Sequence, residues 1–420
     1  MKIESIRLKN FKLFRDIHLQ DLPSFCVFVG ANGTGKSTFF DVFGFLHDAL
    51  LGNVRQALDN RGRFREVMSR ESGSDTILIE IQVRLLILEK ERLVTYSVEI
   101  GEKDRQPLVK REILRYKRGR HGKPYHFLDF KEGHGYAITN EEDFSKSDEQ
   151  LDREEQKLDS PDILALKGLG QFERFKAANA LRRLIESWHV SDFHISAARG
   201  RKEAAGPAEH LSPGGENLAR VAQYLFENHR PVFDSILAKM KRRVPGIAGV
   251  EPKLTDDGYL ILRFQDGSFK TPFLDRYVSD GTIKMFAYLT LLHDPKPHPL
   301  LCVEEPENQL YPKLMEELAE EFRDYGRRGG QVLVSTHSPD FLNAVEMDEV
   351  FWFVKEGGYT QIRRAREDEQ VRASMIDGDK MGLLWKQGFF AGADPKPCAP
   401  GGGVFPRGAL GSGNAQGYRR

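Results

Sequence analysis

The chain of 420 residues has few cysteines, no excess of either charge and no long apolar run. Its three cysteines, Cys26, Cys302 and Cys398, are too few and too scattered for a disulfide framework or a zinc site, which predicts a reducing compartment. The 62 basic and 62 acidic residues cancel, so we expect no global attraction to nucleic acid or an anionic membrane, although this balance does not exclude DNA binding. No apolar stretch reaches the ~20 residues that span a bilayer, and the charged first segment is unlike a secretory signal. We therefore expect a cytoplasmic protein without a membrane partner.

A glycine-rich segment between a predicted strand and a predicted helix carries the strongest chemical signal. Residues 30–38 read GANGTGKST, which fits the pattern G-x-x-x-x-G-K-[ST]. The preceding run, Phe25–Val29, is continuously apolar, and the following residues place apolar side chains at helical spacing. In such a loop the glycines let backbone N–H groups approach phosphates, Lys36 neutralises negative charge and Ser37 offers a ligand to magnesium. The pattern predicts an ATP and Mg²⁺ site made by Gly30, Asn32, Gly33, Gly35, Lys36, Ser37 and Thr38.

A second apolar run ends in two acidic residues. Residues 299–305 read PLLCVEE, as expected of a buried strand that delivers carboxylates to the carboxyl edge of a sheet. Successive side chains of a strand diverge, so we predict that Glu304 binds magnesium while Glu305 faces the γ-phosphate and activates the attacking water. Alone, the pair could be an ordinary charged strand end, but the phosphate loop favours the catalytic interpretation.

Two further segments follow the order expected of a nucleotide site. Ser279, Asp280 and Gly281 head a predicted helix, where a plain N-cap is the simplest interpretation. A serine and a glycine at a helix N-terminus can also bind a γ-phosphate, and the position upstream of the acidic strand favours that role. His337 follows the buried run 331–335, and we predict that it senses the γ-phosphate.

In this order the motifs resemble the ABC-type ATPase heads of the SMC, RecF and OLD-like group, especially the OLD-like ATPases of prokaryotes. The resemblance covers mainly residues 1–50 and 270–355. Within it, Ser279 and Gly281 match the signature motif and His337 matches the switch histidine. The D-loop of the group is matched by Glu307, Asn308 and Gln309.

Two positions depart from the group. The usual Walker B aspartate is Glu304 here, which keeps the charge but lengthens the reach to magnesium. The glutamine of the Q-loop has no clear counterpart, and Gln82 and Gln171 are the candidates.

The resemblance implies an α/β fold of the P-loop NTPase type, with a mixed central sheet flanked by helices, an antiparallel β-layer and a helical insertion. It also implies a homodimer, or a higher even oligomer, that sandwiches ATP between the phosphate loop of one head and the signature of the other. Hydrolysis then releases the pair. A separate effector protein and DNA are the partners that the resemblance suggests, in genome maintenance or in defence against phage.

The length exceeds the ~250 to 300 residues of a single core, so we expect several lobes. Residues 160–162 read SPD and predict an N-cap, with largely helical spacing from Ile163 to Trp188 and potential breaks at Gly168 and Gly170. The predicted division is 1–75, first part of the head with Walker A; 76–138, antiparallel β-layer; 139–250, helical insertion; 251–370, second part of the head with the signature, Walker B, D-loop and switch histidine; 371–392, helical segment; and 393–420, disordered tail.

Two other functions remain open from the sequence. Asp377 and Asp379 form a D-x-D fragment of the kind found in metal-dependent nucleases, but no strand-borne glutamate precedes them in an α/β pattern and a turn is the simpler interpretation. An SMC-like architectural clamp would need a long heptad arm, and residues 140–250 show no sustained heptad pattern.

Overall fold

The computed structural model describes residues 2–119, 123–191, 193–200, 202, 203, 206 and 208–393. Its strands, in chain order, are β1 (Lys2–Phe11), β2 (Phe14–Leu19), β3 (Phe25–Val29), β4 (Thr76–Ile87), β5 (Lys90–Lys103), β6 (Gln106–Tyr116), β7 (Tyr125–Lys131), β8 (His134–Ile138), β9 (Arg153–Lys157), β10 (His189–Ser191), β11 (Lys202–Glu203), β12 (Ile247–Leu254), β13 (Tyr259–Asp266), β14 (Phe273–Leu274), β15 (Leu300–Glu304), β16 (Gln331–Ser335), β17 (Val350–Glu356) and β18 (Tyr359–Arg364). Its α-helices are α1 (Lys36–Leu51), α2 (Val54–Asp59), α3 (Phe64–Val67), α4 (Ala165–Leu169), α5 (Lys176–Glu186), α6 (Ile195–Ala198), α7 (Leu218–Asn228), α8 (Arg230–Arg243), α9 (Asp280–Leu292), α10 (Leu314–Arg327), α11 (Pro339–Leu342), α12 (Glu369–Ile376) and α13 (Met381–Lys386). Among these helices, none combines the length and the hydrophobicity that crossing a bilayer requires.

The central sheet has the strand order β10-β15-β16-β3-β17-β18. Its first five strands are parallel, and β18 runs antiparallel to β17. Both faces of this sheet are covered, which explains why its strands are apolar runs without alternation. In β3, Cys26 and Phe28 join the core on one face, whereas Phe25, Val27 and Val29 join the core on the other. The mixed central sheet predicted from the sequence is confirmed.

The first core lies between the central sheet and an antiparallel sheet of order β2-β1-β4-β5-β6-β7-β8-β9. Helix α1 contacts both sheets, because Phe39 packs on Phe28 of β3 with ring centroids 4.9 Å apart and Phe45 packs on Phe11 of β1 at 6.0 Å. Strand β4 alternates buried and more exposed residues, as expected of a strand with one solvated face. The phosphate loop at the start of α1 is thus supported from two sides.

The second core, on the opposite face of the central sheet, is built by α9, α10 and a small third sheet. In that sheet β13 lies between β11 and β12 and also pairs with β14. Helices α7 and α8 pack against β12, and α8 also contacts α9. Every residue of α9 from Thr282 to its end at Leu292 is buried. The helix that begins at the predicted signature is therefore held firmly inside this core.

Two buried carboxylates cap helices that lie far away in the sequence. Glu112 of β6 accepts hydrogen bonds from the first backbone N–H groups of α4, at 2.5 Å from Ala165 and 2.8 Å from Leu166. Glu141 accepts in the same way from Ala177 at the start of α5. Tyrosine hydroxyls donate to both carboxylates. Burial raises the pKa of each carboxyl group to about 7, and the hydrogen bonds, which favour the charged form, act to lower it.

The predicted N-cap at Ser160 is wrong. Helix α4 begins five residues later, at Ala165, and the Ser160 hydroxyl donates to the Asp162 side chain instead. The long helix expected up to Trp188 is divided into α4 and α5. The physical reason is that Glu112 and Glu141 supply the caps from other elements, which no local pattern reveals.

The segment 139–250 is not purely helical. It contains β9, β10, β11 and the first residues of β12. Strand β9 is an edge strand of alternating charged residues, and β10 has only three residues, so neither produces a readable pattern of apolar residues. The correction matters because β10 belongs to the central sheet beside β15.

The C-terminal segment also differs from the prediction at its bounds. Helix α12 begins at Glu369, before the expected boundary at 371, and Phe390 packs on Trp352 with ring centroids 5.0 Å apart. Ala393, expected in the tail, is buried, and its carbonyl oxygen accepts a hydrogen bond of 3.0 Å from the Ala31 amide. The rest of the predicted tail, 394–420, lies outside the described residues.

The raised pKa of Glu112 predicts how stability depends on pH. The Glu112 carboxyl group binds a proton more tightly in the folded state than in the unfolded chain, where its pKa is near 4.5. The protonated group therefore stabilises the folded state fully below pH 4.5, and this stabilisation is lost as the pH rises to about 7. We expect Glu112→Gln to reduce the fall in unfolding free energy between pH 5 and pH 8. Urea unfolding at several pH values measures this free energy.

Glu91→Gln is the matched control, because Glu91 is an exposed residue of β5 in the same sheet. It should leave the pH dependence as in the wild type. A Glu112→Gln protein with the wild-type pH dependence would contradict the assignment.

Candidate nucleotide-binding site

The predicted phosphate loop connects β3 to α1 as expected. Two neighbouring segments, which contain Thr360 and Ala393, form hydrogen bonds with it. Gly35, the N-cap of α1, has a φ of 101°, which favours glycine. A Cβ atom there would also lie 3.1 Å from Thr360 Oγ1. That hydroxyl donates to the Thr34 carbonyl oxygen at 2.6 Å. Asn32 and Gly33 are exposed at the tip of the loop, where a ligand has access.

Lys36 is buried beneath this loop with an exposure of only 6%. Its ammonium group donates to the carbonyl oxygens of Gly30, at 2.7 Å, and Ala31, at 3.1 Å. Burial lowers the pKa of Lys36, while the nearby carboxylates of Glu305, Glu304 and Glu307 act to raise it. The lysine is therefore held at the loop by weak neutral acceptors, from which an anionic phosphate could attract it.

Ser37 and Glu304 meet at the carboxyl edge of the sheet although 267 residues separate them. The Ser37 hydroxyl donates to Glu304 Oε2 at 2.5 Å. In the parallel register Glu304 is paired with Ser335, and Ser335 with Phe28, so the ends of β15, β16 and β3 coincide. The longer side chain that replaces the usual aspartate reaches the loop. A hydroxyl and a carboxylate oxygen are hard ligands of the kind that Mg²⁺ prefers, so this pair fits the magnesium that the fold implies.

Glu305 lies immediately after β15 with a φ of 44°, which is unusual for a residue other than glycine. Its Oε2 accepts a hydrogen bond of 2.8 Å from Asn308 Nδ2, and its Oε1 lies 3.5 Å from His337 Nε2. Such strained backbone is concentrated at functional sites, and the observation supports a chemical role for this carboxylate.

The predicted switch histidine is positioned through its backbone. The His337 amide donates to Glu307 Oε1 at 2.6 Å. Burial, followed by the charge of Lys36, lowers the pKa of His337, so its imidazole is largely neutral at pH 7. Among the described residues, neither His337 Nε2 nor Glu307 Oε2 has a hydrogen-bond partner. Unsatisfied buried polar atoms of this kind point to a group that binds between them.

The predicted signature caps α9. Ser279 accepts a hydrogen bond of 3.3 Å from the Thr282 amide and is itself exposed. Gly281 lies against the D-loop, where an added Cβ atom would be 2.5 Å from the Gln309 carbonyl oxygen. One turn later, Lys284 donates to the Asn308 carbonyl oxygen at 2.8 Å, and burial lowers its pKa to about 8. Helix α9 is thus coupled to the segment that follows Glu305.

Two clefts separate the predicted site residues. The larger one, about 830 Å³, is lined by Ser37, Asp41, Gly44, Arg61, Val190, Ser191, Phe193, Lys284, Glu304, Glu305, Asn308 and Gln309. Neither Ser279 nor Gly281 is among the described residues that line this larger cleft. Their neighbour Asp280 instead lines a second cleft, together with Arg199 and Gln309. One chain therefore brings the phosphate loop and the acidic pair together and places the signature beside an adjacent cleft, which shares Phe193 and Gln309 with the first.

Ser191 is a site residue that the sequence did not reveal. Strand β10 pairs with β15 in parallel, with Ser191 opposite Val303, so Ser191 reaches the same edge as Glu304. The Q-loop candidates do not: Gln82 lies within the antiparallel sheet, opposite Ser5 and Thr95, and Gln171 donates to the Lys167 carbonyl oxygen after α4. The segment after β10 therefore occupies the place beside the acidic strand.

A third cleft, of about 460 Å³, lies on the other side of the phosphate loop. Thr38 lines it together with Leu13 and Tyr359. Lys12 and Arg70 line it as well, together with Glu66 and Glu71, and Arg70 pairs with Glu66. The cleft combines an aromatic ring, aliphatic surface and charged groups of both signs next to the phosphate loop, which suits the base and ribose of a nucleotide.

The acidic pair of the alternative nuclease site lies in a turn. Asp377 is the C-cap of α12, and the Asp379 amide donates to the Ser374 carbonyl oxygen. Neither residue lies on a strand of the described structure. This placement agrees with the simpler interpretation of a turn.

A phosphate loop between β3 and α1, acidic residues after β15 and a buried helix that begins at the signature define an ABC-type P-loop ATPase head. A family profile described as "AAA domain, putative AbiEii toxin, Type IV TA system" matches residues 25–343, which is more than half of the chain. The chain belongs to this family. A search of curated proteins found no match.

Solved structures of SMC heads share the fold. One is described as "Crystal structure of the SmcHead bound to the C-winged helix domain of ScpA"; it is 15% identical, with a TM-score of 0.53, over 86% of this chain and 97% of that chain. Another is an Smc head domain with an extended coiled coil, bound to the C-terminal domain of ScpA and derived from Pyrococcus furiosus. It is 13% identical, with a TM-score of 0.50, over 89% of this chain and 99% of that chain. At these identities the likeness concerns the fold.

The close approach of Gly281 to the D-loop predicts the effect of adding one methyl group. Gly281→Ala must displace Gln309 and the residues that position Glu305. We expect ATP hydrolysis to fall by about 10- to 100-fold, since displacements of about 1 Å can cost that much. ATP binding should persist, because the phosphate loop is untouched. Phosphate release and equilibrium ATP binding measure the two effects.

Gly168→Ala is the matched control, because a Cβ atom at this helical position makes only an ordinary contact of 3.6 Å with Leu158. It should hydrolyse ATP at the wild-type rate. Equal losses of binding and hydrolysis in Gly281→Ala would show that the contact is merely structural.

Proposed function

We propose that this chain binds and hydrolyses ATP with Mg²⁺ and that two copies pair head to tail around two nucleotides. The observation that carries the proposal is the division of the site: Lys36, Glu304 and Glu305 converge in one place, while among the described residues Ser279 does not line the cleft of the acidic pair and its neighbour Asp280 lines an adjacent cleft. A second head that presents its own Ser279 to the phosphates would complete each site. The symmetry of such a pair is closed, because each chain gives and receives the same surface.

In the proposed site, the phosphate loop and the N-terminus of α1 hold the phosphates. Lys36 leaves the carbonyl oxygens of its own loop and neutralises the β- and γ-phosphates. Ser37 and Glu304 would hold Mg²⁺, which supplies positive charge to the phosphate oxygens. The base lies in the cleft lined by Tyr359 and Thr38.

Glu305 is the proposed general base. Its carboxylate accepts a proton from a water molecule as the water oxygen forms a bond to the γ-phosphorus. The bond between that phosphorus and the bridging oxygen breaks, which yields ADP and inorganic phosphate. Asn308 holds one carboxylate oxygen of Glu305, and His337 lies beside the other. A neutral His337 can donate a hydrogen bond to the γ-phosphate and report its presence.

We further propose that ATP-dependent pairing of heads controls a separate effector, in genome maintenance or in defence against phage. Two facts support this. The family description names a toxin–antitoxin system, and the two SMC heads of similar fold are bound to domains of another protein, ScpA. The nuclease alternative gains no support from the turn that carries Asp377, and DNA remains a proposed partner only.

Glu305→Gln tests the proposed chemistry. An amide cannot take a proton from water, so we expect hydrolysis to fall by at least about 100-fold while ATP and Mg²⁺ still bind. Because hydrolysis opens the pair, the variant should accumulate as an ATP-dependent dimer. Light scattering with and without ATP gives the mass, and phosphate release gives the rate.

Glu316→Gln, an exposed position on α10, is the control and should behave as the wild type. The same preparations should be incubated with DNA and divalent cations. DNA cleavage by both the wild type and Glu305→Gln would reject the separation of ATPase and effector.

Mixing two inactive variants tests the shared site. Lys36→Ala lacks the phosphate lysine, and Ser279→Arg blocks the signature surface. In a mixed dimer both defects fall in one site and the other site is intact, so an equal mixture should regain about a quarter of the wild-type rate if sites act independently. Phosphate release by the mixture and by each variant alone gives the comparison.

Circular dichroism should first confirm that both variants fold, since Ser279 also caps α9. A mixture no more active than its components would contradict the shared site. The shared site also requires that Ser279→Arg bind ATP at the wild-type level.

A further inference from the structure

Three potential metal ligands from two loops meet at the end of the central sheet opposite the nucleotide cleft. His210, Asp294 and His298 each offer a ligand atom, and these atoms lie within 4.8 Å of one another. We call these three residues the His–Asp cluster. His189, the first residue of β10, borders it, with its ring centroid 5.0 Å from that of His298. The scarcity of cysteine, which argued against a thiolate zinc site, has no bearing on these ligands.

The neighbouring hydrogen bonds orient the ligands, although the hydrogen bond between His210 and Asp294 must open for a metal ion to enter. His298 Nδ1 lies 2.9 Å from the Ser187 carbonyl oxygen, which fixes the ring and leaves Nε2. Among the described residues, His298 Nε2 has no hydrogen-bond partner. Asp294 Oδ1 accepts from the Lys296 amide at 2.8 Å, and its Oδ2 lies 2.6 Å from His210 Nδ1. A carbonyl behind a histidine and an amide behind a carboxylate are typical of the residues that orient metal ligands.

His189 provides an independent observation. Its side chain is buried, with an exposure of 2%, yet its Nε2 has no hydrogen-bond partner in the described structure. A buried imidazole nitrogen left unpaired costs free energy comparable to a lost hydrogen bond. Two such nitrogens, on His189 and His298, belong to rings whose centroids lie 5.0 Å apart.

We propose that the His–Asp cluster binds a divalent transition metal, with Zn²⁺ as the ion that its ligands suit best. Imidazole nitrogen and carboxylate oxygen are common ligands of Zn²⁺, at about 2.0 to 2.2 Å. Tetrahedral ligands at that distance lie about 3.3 Å from one another, so ligand atoms that are now up to 4.8 Å apart must approach by at most about 1.5 Å, while Asp294 Oδ2 and His210 Nδ1, now 2.6 Å apart, must separate. His189 borders the cluster and is the candidate for a fourth ligand.

The position of the cluster gives the ion a structural role. His189 starts β10, His210 lies on the chain between β11 and α7, and Asp294 and His298 lie between α9 and β15. One ion would therefore fasten the edge strand β10 and the following segment to the core of the head. Strand β10 ends at Ser191 in the nucleotide cleft, so the same ion would also steady one wall of that cleft.

The test uses the full chain, stripped with a chelator and titrated with ZnCl₂ against a chromophoric competitor, without nucleotide. We expect one Zn²⁺ per chain with a submicromolar Kd and a melting temperature that rises on binding. His298→Gln and His210→Gln should each weaken binding by at least about 100-fold, beyond the 10- to 100-fold typical of an indirect contact. His18→Gln, an exposed histidine on β2, is the control and should bind as the wild type.

Cobalt gives a readout that does not depend on the variants. Co²⁺ added to the stripped wild type should produce the visible absorption of a tetrahedral nitrogen and oxygen site, and Zn²⁺ should abolish it. Binding that is weak, exceeds one ion per chain or is insensitive to both substitutions would overturn the proposal. So would a wild type without the cobalt spectrum, which would leave His210 and Asp294 as an ordinary ion pair.

Discussion

The parallel pairing of β3, β16 and β15 is the constraint on which the rest of the site depends. Carboxyl ends of neighbouring parallel strands open on one edge of a sheet, so the register that pairs Glu304 with Ser335 and Ser335 with Phe28 fixes where three distant segments meet. The hydrogen bond from Ser37 to Glu304 closes the arrangement. A slip of one residue in β15 would reverse the faces of its side chains and remove the acidic group from the loop.

The electrostatics of the cleft are those of a site arranged for an anion and a cation together. Glu304, Glu305 and Glu307 all act on the pKa of Lys36, and burial opposes them. Within the described residues, the hydrogen bonds of the Lys36 ammonium group go to carbonyl oxygens of its own loop. The positive φ of Glu305 adds a local cost, as does His337 Nε2, which has no hydrogen-bond partner among the described residues; interactions with a phosphate can offset both.

The central sheet and the class of protein could be predicted from the sequence because their signals are contiguous. The phosphate loop, the run ending at Glu304 and the run before His337 each fit within ten residues. The roles of the individual site residues stay predictions, although the structure places the loop, the acidic pair and His337 together. What the sequence could not reveal depends on distant partners. Strand β10 has three residues, too few for periodicity, and Glu112 caps a helix 53 residues away.

The His–Asp cluster illustrates the same limit, because its three members come from two loops and no spacing unites them. Neither Gln82 nor Gln171, the two candidates for the Q-loop, is among the described residues that line the nucleotide cleft. A glutamine was sought by residue type, whereas the fold places Ser191 beside the acidic strand through the pairing of β10 with β15. Topology, rather than local composition, determines which residue occupies such a position.

The hydrogen bond between the Ala31 amide and the Ala393 carbonyl oxygen has a consequence for biosynthesis. The residue that pairs with the amide of the phosphate loop is translated more than 360 residues after the loop itself. Thr360, which holds Thr34, is also translated long after the loop. A nascent chain therefore carries a loop without these two contacts until both segments have been translated.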